Sequence, residues 1–303
     1  MTRSTTGPNL FIPGAPKCGT SWAAGMLALH PDVFVPHVKE PHLYGSDLTP
    51  LRWSRTASAV RDLYGDADGA PALDASVFYL TSQRAAAEIK AACPEARILI
   101  MVRHPLRAIE SLHAQLVFDR NEDIVDLNEA VRACSDRSEG RRIPRTCTRP
   151  EALDYVSVVR FGAQAQRFVR EFGEQQVRFV FHQDLVDNRK ATQTEILRFF
   201  GLDPHKGSEP STANARREVR SKAVSTVLRS VERSERAKQA VRKALPHRTL
   251  WRLRTQLKKL NSRPADHLTL EPTLGAEILD SLSTDIDLLE KLAGRRLDSW
   301  RCA

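Results

Sequence analysis

Three short stretches of this chain carry residues suited to chemistry on a phosphate-bearing ligand. The first is Gly14-Ala15-Pro16-Lys17-Cys18-Gly19-Thr20-Ser21. It comes close to the GxxxxGK[ST] pattern, in which backbone amides at a helix N-terminus cradle phosphate oxygens. The lysine expected directly after the second glycine is missing, and Thr20 stands there; a lysine sits inside the loop instead, as Lys17. A cation at that point lies near the oxygen joining a phosphate to whatever is transferred, and stabilises the charge that builds up there. The amides around Cys18 and Gly19 and the hydroxyls of Thr20 and Ser21 complete a donor set. The second stretch is the apolar run from Arg97 that ends in Arg103, with Ser111 eight residues later. The planar fork of an arginine matches a phosphate group. The third is Lys39-Glu40-Pro41-His42-Leu43-Tyr44. Glu40 there is a candidate general base for a hydroxyl, with Lys39 beside it to keep it ionised or to touch a ligand. His42 is a second candidate.

These residues need elements to hold them. A short buried strand over residues 9–15 runs through the glycine loop into a helix over residues 20–29, with Trp22, Met26 and Leu29 at helical spacing. A strand at 77–80 and a helix at 83–92 are expected next. Residues 97–102 read as a buried strand feeding a helix over 105–118, with Pro105 at its first position, where proline fits. Residues 177–181 form another strand, and a helix over 192–200 is stopped by Gly201. The alternation predicts an α/β fold: a P-loop-like parallel sheet with helices on both faces. Arg103 then falls at the C-terminal end of a strand, where open sheets bind ligands. Residues 119–151 are polar and weakly periodic, with some helix expected over 127–134. From residue 211 onward the chain reads as a helical extension, ending in an amphipathic helix over 274–292.

Composition narrows the function classes. The 303 residues suffice for a sizeable core, and the longest clean apolar run, residues 98–102, is far too short to span a membrane. Residues 1–9 lack the apolar stretch of a secretion signal, so a cytoplasmic location is expected. The five cysteines show no CxxC spacing and suggest no zinc site; a cytosolic chain keeps them reduced, although Cys134 and Cys147 flank a polar loop and could bridge. The net charge of +9 is concentrated: residues 216–259 hold 15 Lys/Arg against 3 Glu, or +12, which leaves −3 for the remainder. That stretch is a solvated basic face, an electrostatic funnel for an anionic ligand, or a peripheral contact with an anionic membrane. Trp251 is its single aromatic residue, so nucleic acid is not the expected partner.

The loop from Pro16 to Trp22 resembles the 5′-phosphosulfate-binding motif of sulfotransferases that use 3′-phosphoadenosine-5′-phosphosulfate (PAPS). The segment from Arg97 to Ser111 resembles their 3′-phosphate motif, with Arg103 and Ser111 in the motif positions. The Lys39–Tyr44 hexapeptide resembles the KEPHFF-type motif of glycosaminoglycan and related bacterial sulfotransferases. The resemblance implies PAPS as cofactor, 3′,5′-ADP as product and no required metal. It implies Lys17, Glu40 and His42 as catalytic residues, with Glu40 the base. It also implies Lys17, Cys18, Gly19, Thr20, Ser21, Trp22, Arg103 and Ser111 as cofactor-binding residues, Trp22 meeting the adenine. The acceptor is then a hydroxyl of a carbohydrate or small metabolite; the Arg/Ala-rich composition points to a bacterial source. The expected organisation is one sulfotransferase domain over 1–303. Its α/β core covers 1–118 and 152–210, an acceptor or lid insertion covers 119–151, and a basic helical part covers 211–303.

Departures from the family pattern are local. The motif often ends in aspartate where this chain has Gly45, with Asp47 as a possible substitute. Asp74-Ala-Ser76-Val77-Phe-Tyr79-Leu80 resembles the E-x-S-P-x-Y-[LF] segment expected to line the acceptor side, with valine in place of proline. Among Arg216, Arg217, Arg220 and Lys222, which follow the Phe199-Phe200-Gly201-Leu202 stop, the cofactor contact is left open. Two rival readings remain. A P-loop kinase would need the missing lysine and an acidic magnesium ligand. A non-catalytic binder of anionic membrane or nucleic acid would act through residues 216–259.

Overall fold

The computed structural model describes residues 7–48, 56–206, 217–219, 262–264 and 268–302. Strand β1, Leu10–Gly14, is buried at every position, and helix α1, Thr20–Ala28, follows it. Helix α2 (Ala57–Tyr64), the two-residue strand β2 (Leu73–Asp74) and helix α3 (Ala85–Ala92) come next. Strand β3 (Arg97–Val102) leads into helix α4 (Pro105–Phe118), with Pro105 in its first turn. After the insert come α7 (Tyr155–Val158), α8 (Phe161–Phe172), strand β4 (Val177–Phe181), α9 (His182–Asp187) and α10 (Arg189–Phe199); α5 (Leu127–Arg132) and α6 (Cys134–Ser138) lie within the insert.

The four strands form one parallel sheet in the order β2-β1-β3-β4, flanked by helices. Leu10 pairs with Leu73 on one side and Arg97 on the other, and Ile98 to Val102 run in register with Val177 to Phe181. Near-continuous apolar strands of this kind mark a sheet covered by helices. The order reverses direction beside β1, which puts the topological switch point, the usual ligand position in such sheets, between the loops after β1 and β3.

Two expectations need correction. Residues 77–80 are turns, not a strand: Leu80 donates its amide to the Pro13 carbonyl at 2.8 Å, and the pairing strand is Leu73–Asp74. The helix expected over 274–292 is two, α11 (Pro272–Ser281) and α12 (Ser283–Ala293), separated at Leu282. The expected helical C-terminal extension is present as α11 and α12, and ahead of it Arg217–Val219 (β5) and Ser262–Pro264 (β6) pair antiparallel. The rest of the basic stretch, with Arg216, Arg220 and Lys222, lies outside the described residues.

The C-terminal helices are tied to the core. Asp285 accepts from the amides of Gly162 (2.9 Å) and Ala163 (2.8 Å) and so caps α8. Trp300 packs edge-on against Phe161 and Phe181 and lies 6.1 Å from the ring of His104, the residue after Arg103. The described cysteines are all free thiols, Cys134 and Cys147 included. No helix among the described residues is long and apolar enough to cross a membrane.

Candidate active site

Each strand delivers chemistry at its C-terminal end. Gly14 opens the glycine loop, Asp74 ends β2, Arg103 follows β3 and His182 follows β4. The loop closes on Gly19, which takes φ 95° as the N-cap of α1. A side chain there would also approach Leu185 at 3.1 Å and Met101 at 3.3 Å, so only glycine fits both the conformation and the space. No side chain caps this helix end, and its first amides point out of the intrahelical ladder.

Two cations converge on this turn. Cys18 is wholly buried; burial pushes its thiol up to about 12, opposed by the nearby charges of Arg103 and then Lys17. His182 is pushed down to about 4, by burial and then by Arg103, so it stays neutral at physiological pH. Lys17, held at φ 66°, donates from Nζ to Gln115 Oε1 at 3.2 Å; Gln115 in turn donates to Asp119 at 2.7 Å. Gln115 lies one helical turn beyond Ser111 on α4, so Lys17 runs along the same face as Ser111. Trp22 is half-buried, and its Nε1 is buried with no hydrogen-bond acceptor among the described residues. A cationic turn with outward amides and an adjacent indole donor fits a nucleotide carrying phosphates.

The Lys39–Tyr44 loop meets this turn through Lys39. Its Nζ donates to Ser21 Oγ at 3.4 Å and pairs with Glu40 Oε1 at 3.2 Å. Glu40 is therefore brought to the rim of the loop. Glu40 and His42 both adopt φ 52°, a left-handed conformation that costs a non-glycine residue on the order of 1–3 kcal/mol. His42 is only 3% exposed and stacks near Phe78 and Tyr79, with Nδ1 2.8 Å from the Glu40 carbonyl oxygen. It lies behind Glu40 rather than beside it at the rim.

Asp74, expected to line the acceptor side, is instead fully buried beneath this loop. Its Oδ1 accepts from the Ser76 amide (3.0 Å) and hydroxyl (2.6 Å), and its Oδ2 from the Tyr79 hydroxyl (2.8 Å). Burial raises it to about 6 against these hydrogen bonds, with Glu40 adding a small repulsion. Asp47 lies on the α3 side of the loop. It accepts from the Ser82 hydroxyl and from the Gln83 amide at 2.8 Å, at the start of α3. Gly45, at φ 75°, donates its amide to Glu88 at 2.9 Å.

Residues 119–151 are more ordered than their composition suggests. Glu122 and Arg137, both with fully buried side chains, form a two-bonded ion pair at 2.6 and 2.7 Å. Glu122 also accepts from Tyr155 (2.7 Å) and from the amides of Asp123 and Ile124. Arg149 stacks over Phe78 at 4.4 Å, bringing the end of the insert near His42. Gln115 and His182 are absent from the sequence reading. The one signal for His182 was its place at the end of an apolar strand. Among the described residues, no three His, Cys, Asp or Glu side chains gather as metal ligands.

A parallel sheet with a glycine turn at a helix N-terminus and arginine after the neighbouring strand is the arrangement with which α/β proteins bind phosphate groups. Residues 7–247 match the sulfotransferase domain family, and the chain belongs to that family. In structure it is similar to a sulfotransferase from Alicyclobacillus acidocaldarius, with a TM-score of 0.68 and 23% identity over 97% of this chain and 98% of that one. A weaker likeness is to the sulfotransferase domain of the Synechococcus PCC 7002 olefin synthase, with a TM-score of 0.42 and 19% identity over 67% and 77% of the two chains. Another is to a mouse sulfotransferase complexed with PAP, with a TM-score of 0.41 and 12% identity over 65% and 59%. No curated protein matches the sequence.

Proposed function

We propose that the chain transfers a sulfuryl group from PAPS to a hydroxyl of a carbohydrate or small-metabolite acceptor. The observation that carries this reading is the Ser21–Lys39–Glu40 contact, which sets a carboxylate at the edge of the cationic glycine turn. A base beside an anion-binding loop is what in-line transfer to a hydroxyl needs. The bound donor supplies the sulfuryl group together with a phosphate leaving group. Glu40 takes the proton from the acceptor hydroxyl. Lys17 leaves Gln115 and holds positive charge at the leaving oxygen. The amides of Cys18 and Gly19, with Thr20 and Ser21, bind the 5′-phosphate; Arg103 and Ser111 bind the 3′-phosphate; Trp22 meets the adenine. His42 supports the loop, and residues 119–151 border the acceptor. No metal enters this scheme, because lysine and backbone donors carry the stabilisation.

Dependence on the 3′-phosphate tests the reading. PAPS and 3′,5′-ADP raise the melting temperature, whereas AMP and ATP barely do. Arg103→Ala weakens 3′,5′-ADP by about 1.5–3 kcal/mol, the value of one charge-assisted contact. Equal stabilisation by AMP and 3′,5′-ADP sinks the assignment of Arg103 and Ser111.

A further inference from the structure

Beneath the Lys39–Tyr44 loop, one carboxylate reaches two backbone amides through two hydroxyls. An ionised carboxylate only accepts, so the Ser76 and Tyr79 hydroxyls must both point their hydrogens at Asp74. Their oxygens are thereby turned to accept. Ser76 Oγ takes the His42 amide at 3.0 Å, and the Tyr79 hydroxyl takes the Tyr44 amide at 3.3 Å. Asp74, Ser76 and Tyr79 are all completely buried, so water does not compete for these bonds. The amides they hold are two residues apart, in the loop whose Glu40 and His42 occupy left-handed conformations. Strained backbone of this kind persists only where its surroundings over-determine it. The His42 ring closes the connection, with Nδ1 2.8 Å from the Glu40 carbonyl oxygen.

We propose that Asp74 is a positioning residue that, through Ser76 and Tyr79, fixes the His42 and Tyr44 amides and so sets where the Glu40 carboxylate stands. This rests on Glu40 being the base of the transfer reaction. Asp74 itself touches neither donor nor acceptor. Its two arms are unequal, because Ser76 holds the residue whose ring contacts Glu40, while Tyr79 holds a residue two places farther on.

Ser76→Ala and Tyr79→Phe each delete one arm with little change of shape, so folding is expected to survive. Amide hydrogen exchange reads the relay without any assay of activity. The His42 amide exchanges faster in Ser76→Ala and the Tyr44 amide faster in Tyr79→Phe; unchanged protection in both overturns the relay. Release of 3′,5′-ADP from PAPS, with water or a 4-nitrophenyl glycoside as acceptor, reads the consequence. In Ser76→Ala kcat falls by about 10–100-fold, as expected for a displaced catalytic group, while 3′,5′-ADP affinity changes by less than about twofold, since the glycine turn keeps its own support. Faster exchange with wild-type kcat overturns the positioning role. The double variant separates positioning from general damage: in a Glu40→Gln background Ser76→Ala causes no further loss. A full additional loss there shows a structural role only and overturns the proposal. Wild-type turnover in Glu40→Gln alone overturns the base assignment instead, and the exchange data still decide whether the relay exists.

Discussion

Asp74, under the Glu40 loop, and Glu122, in the insert, are both buried carboxylates with three or more donors, yet they are held in opposite ways. Glu122 has a buried partner of opposite charge. Burial pushes its carboxyl up, but hydrogen bonds from Arg137, the Ile124 amide and Tyr155 outweigh this and leave it below its ordinary value. Asp74 is held by dipoles, namely Ser76, Tyr79 and a backbone amide, and burial, with a small push from the Glu40 charge, outweighs them and raises it to about 6. The ion pair ties two parts of the insert to each other, and the Tyr155 hydroxyl joins Glu122 to the first turn of α7. The unpaired carboxylate orients a loop. The difference teaches that a buried charge with a counterion secures structure, whereas one held by hydroxyls imposes a direction on each of them.

Substitution breaks this comparison most sharply at Glu40, the residue the Asp74 region exists to present. Glu40→Gln is nearly isosteric and leaves melting temperature and 3′,5′-ADP affinity close to wild type. Turnover falls by about 10²–10⁴-fold, the usual contribution of a general base. A histidine comparison guards the assignment: if His42→Ala abolishes turnover while Glu40→Gln keeps it, His42 is the base. The insert behaves in the reverse manner. Arg137→Leu strands Glu122 as an uncompensated buried charge and lowers stability by about 3–5 kcal/mol in urea denaturation. A loss under 1 kcal/mol would contradict the buried pair.

The pH dependence sharpens the contrast with a smaller effect. The native state holds a proton on Asp74 more tightly than the unfolded chain does, because its value is raised from 3.8 to about 6. Its contribution to stability is therefore full in acid and lost as the pH rises through about 6. Glu122, lowered in the native state, contributes stability above the ordinary carboxylate range and loses it as the pH falls. Relative to wild type, Asp74→Asn gains stability from pH 4.5 to 7, whereas Glu122→Gln loses it. Denaturation of the three proteins at those two pH values checks both signs; parallel slopes would erase the distinction.

The same two regions show what the sequence carried. Strand β3, helix α4 and strand β4 have the bounds expected of them, because an unbroken apolar run and a proline at a helix start are local signals. The glycine turn was legible for the same reason, since its lysine, glycine and hydroxyls lie within one helix N-terminus. Val77 to Leu80 misled, because an apolar aromatic run reads as strand; it is instead wound into turns that cover Gly14, where a side chain would meet Leu80 at 2.7 Å. The Asp74 relay joins residues 34 and 35 positions apart, which no local pattern reports. Glu122 with Arg137 hid inside a polar stretch, where charged residues normally face water. Leu282 divides the C-terminal helix at an apolar position that the 3.6-residue period alone would pass over.

Gly45 also sets the room available to the loop. It sits at φ 75°, and an added Cβ would lie 2.8 Å from Leu48 Cδ1 and 3.1 Å from Ser82 Oγ. A larger residue here therefore carries the cost of a left-handed backbone and must displace the end of the Leu48 side chain. Gly45→Asp alone should accordingly yield less soluble protein than Gly45→Asp with Leu48→Ala, and equal yields would show that Leu48 gives way freely.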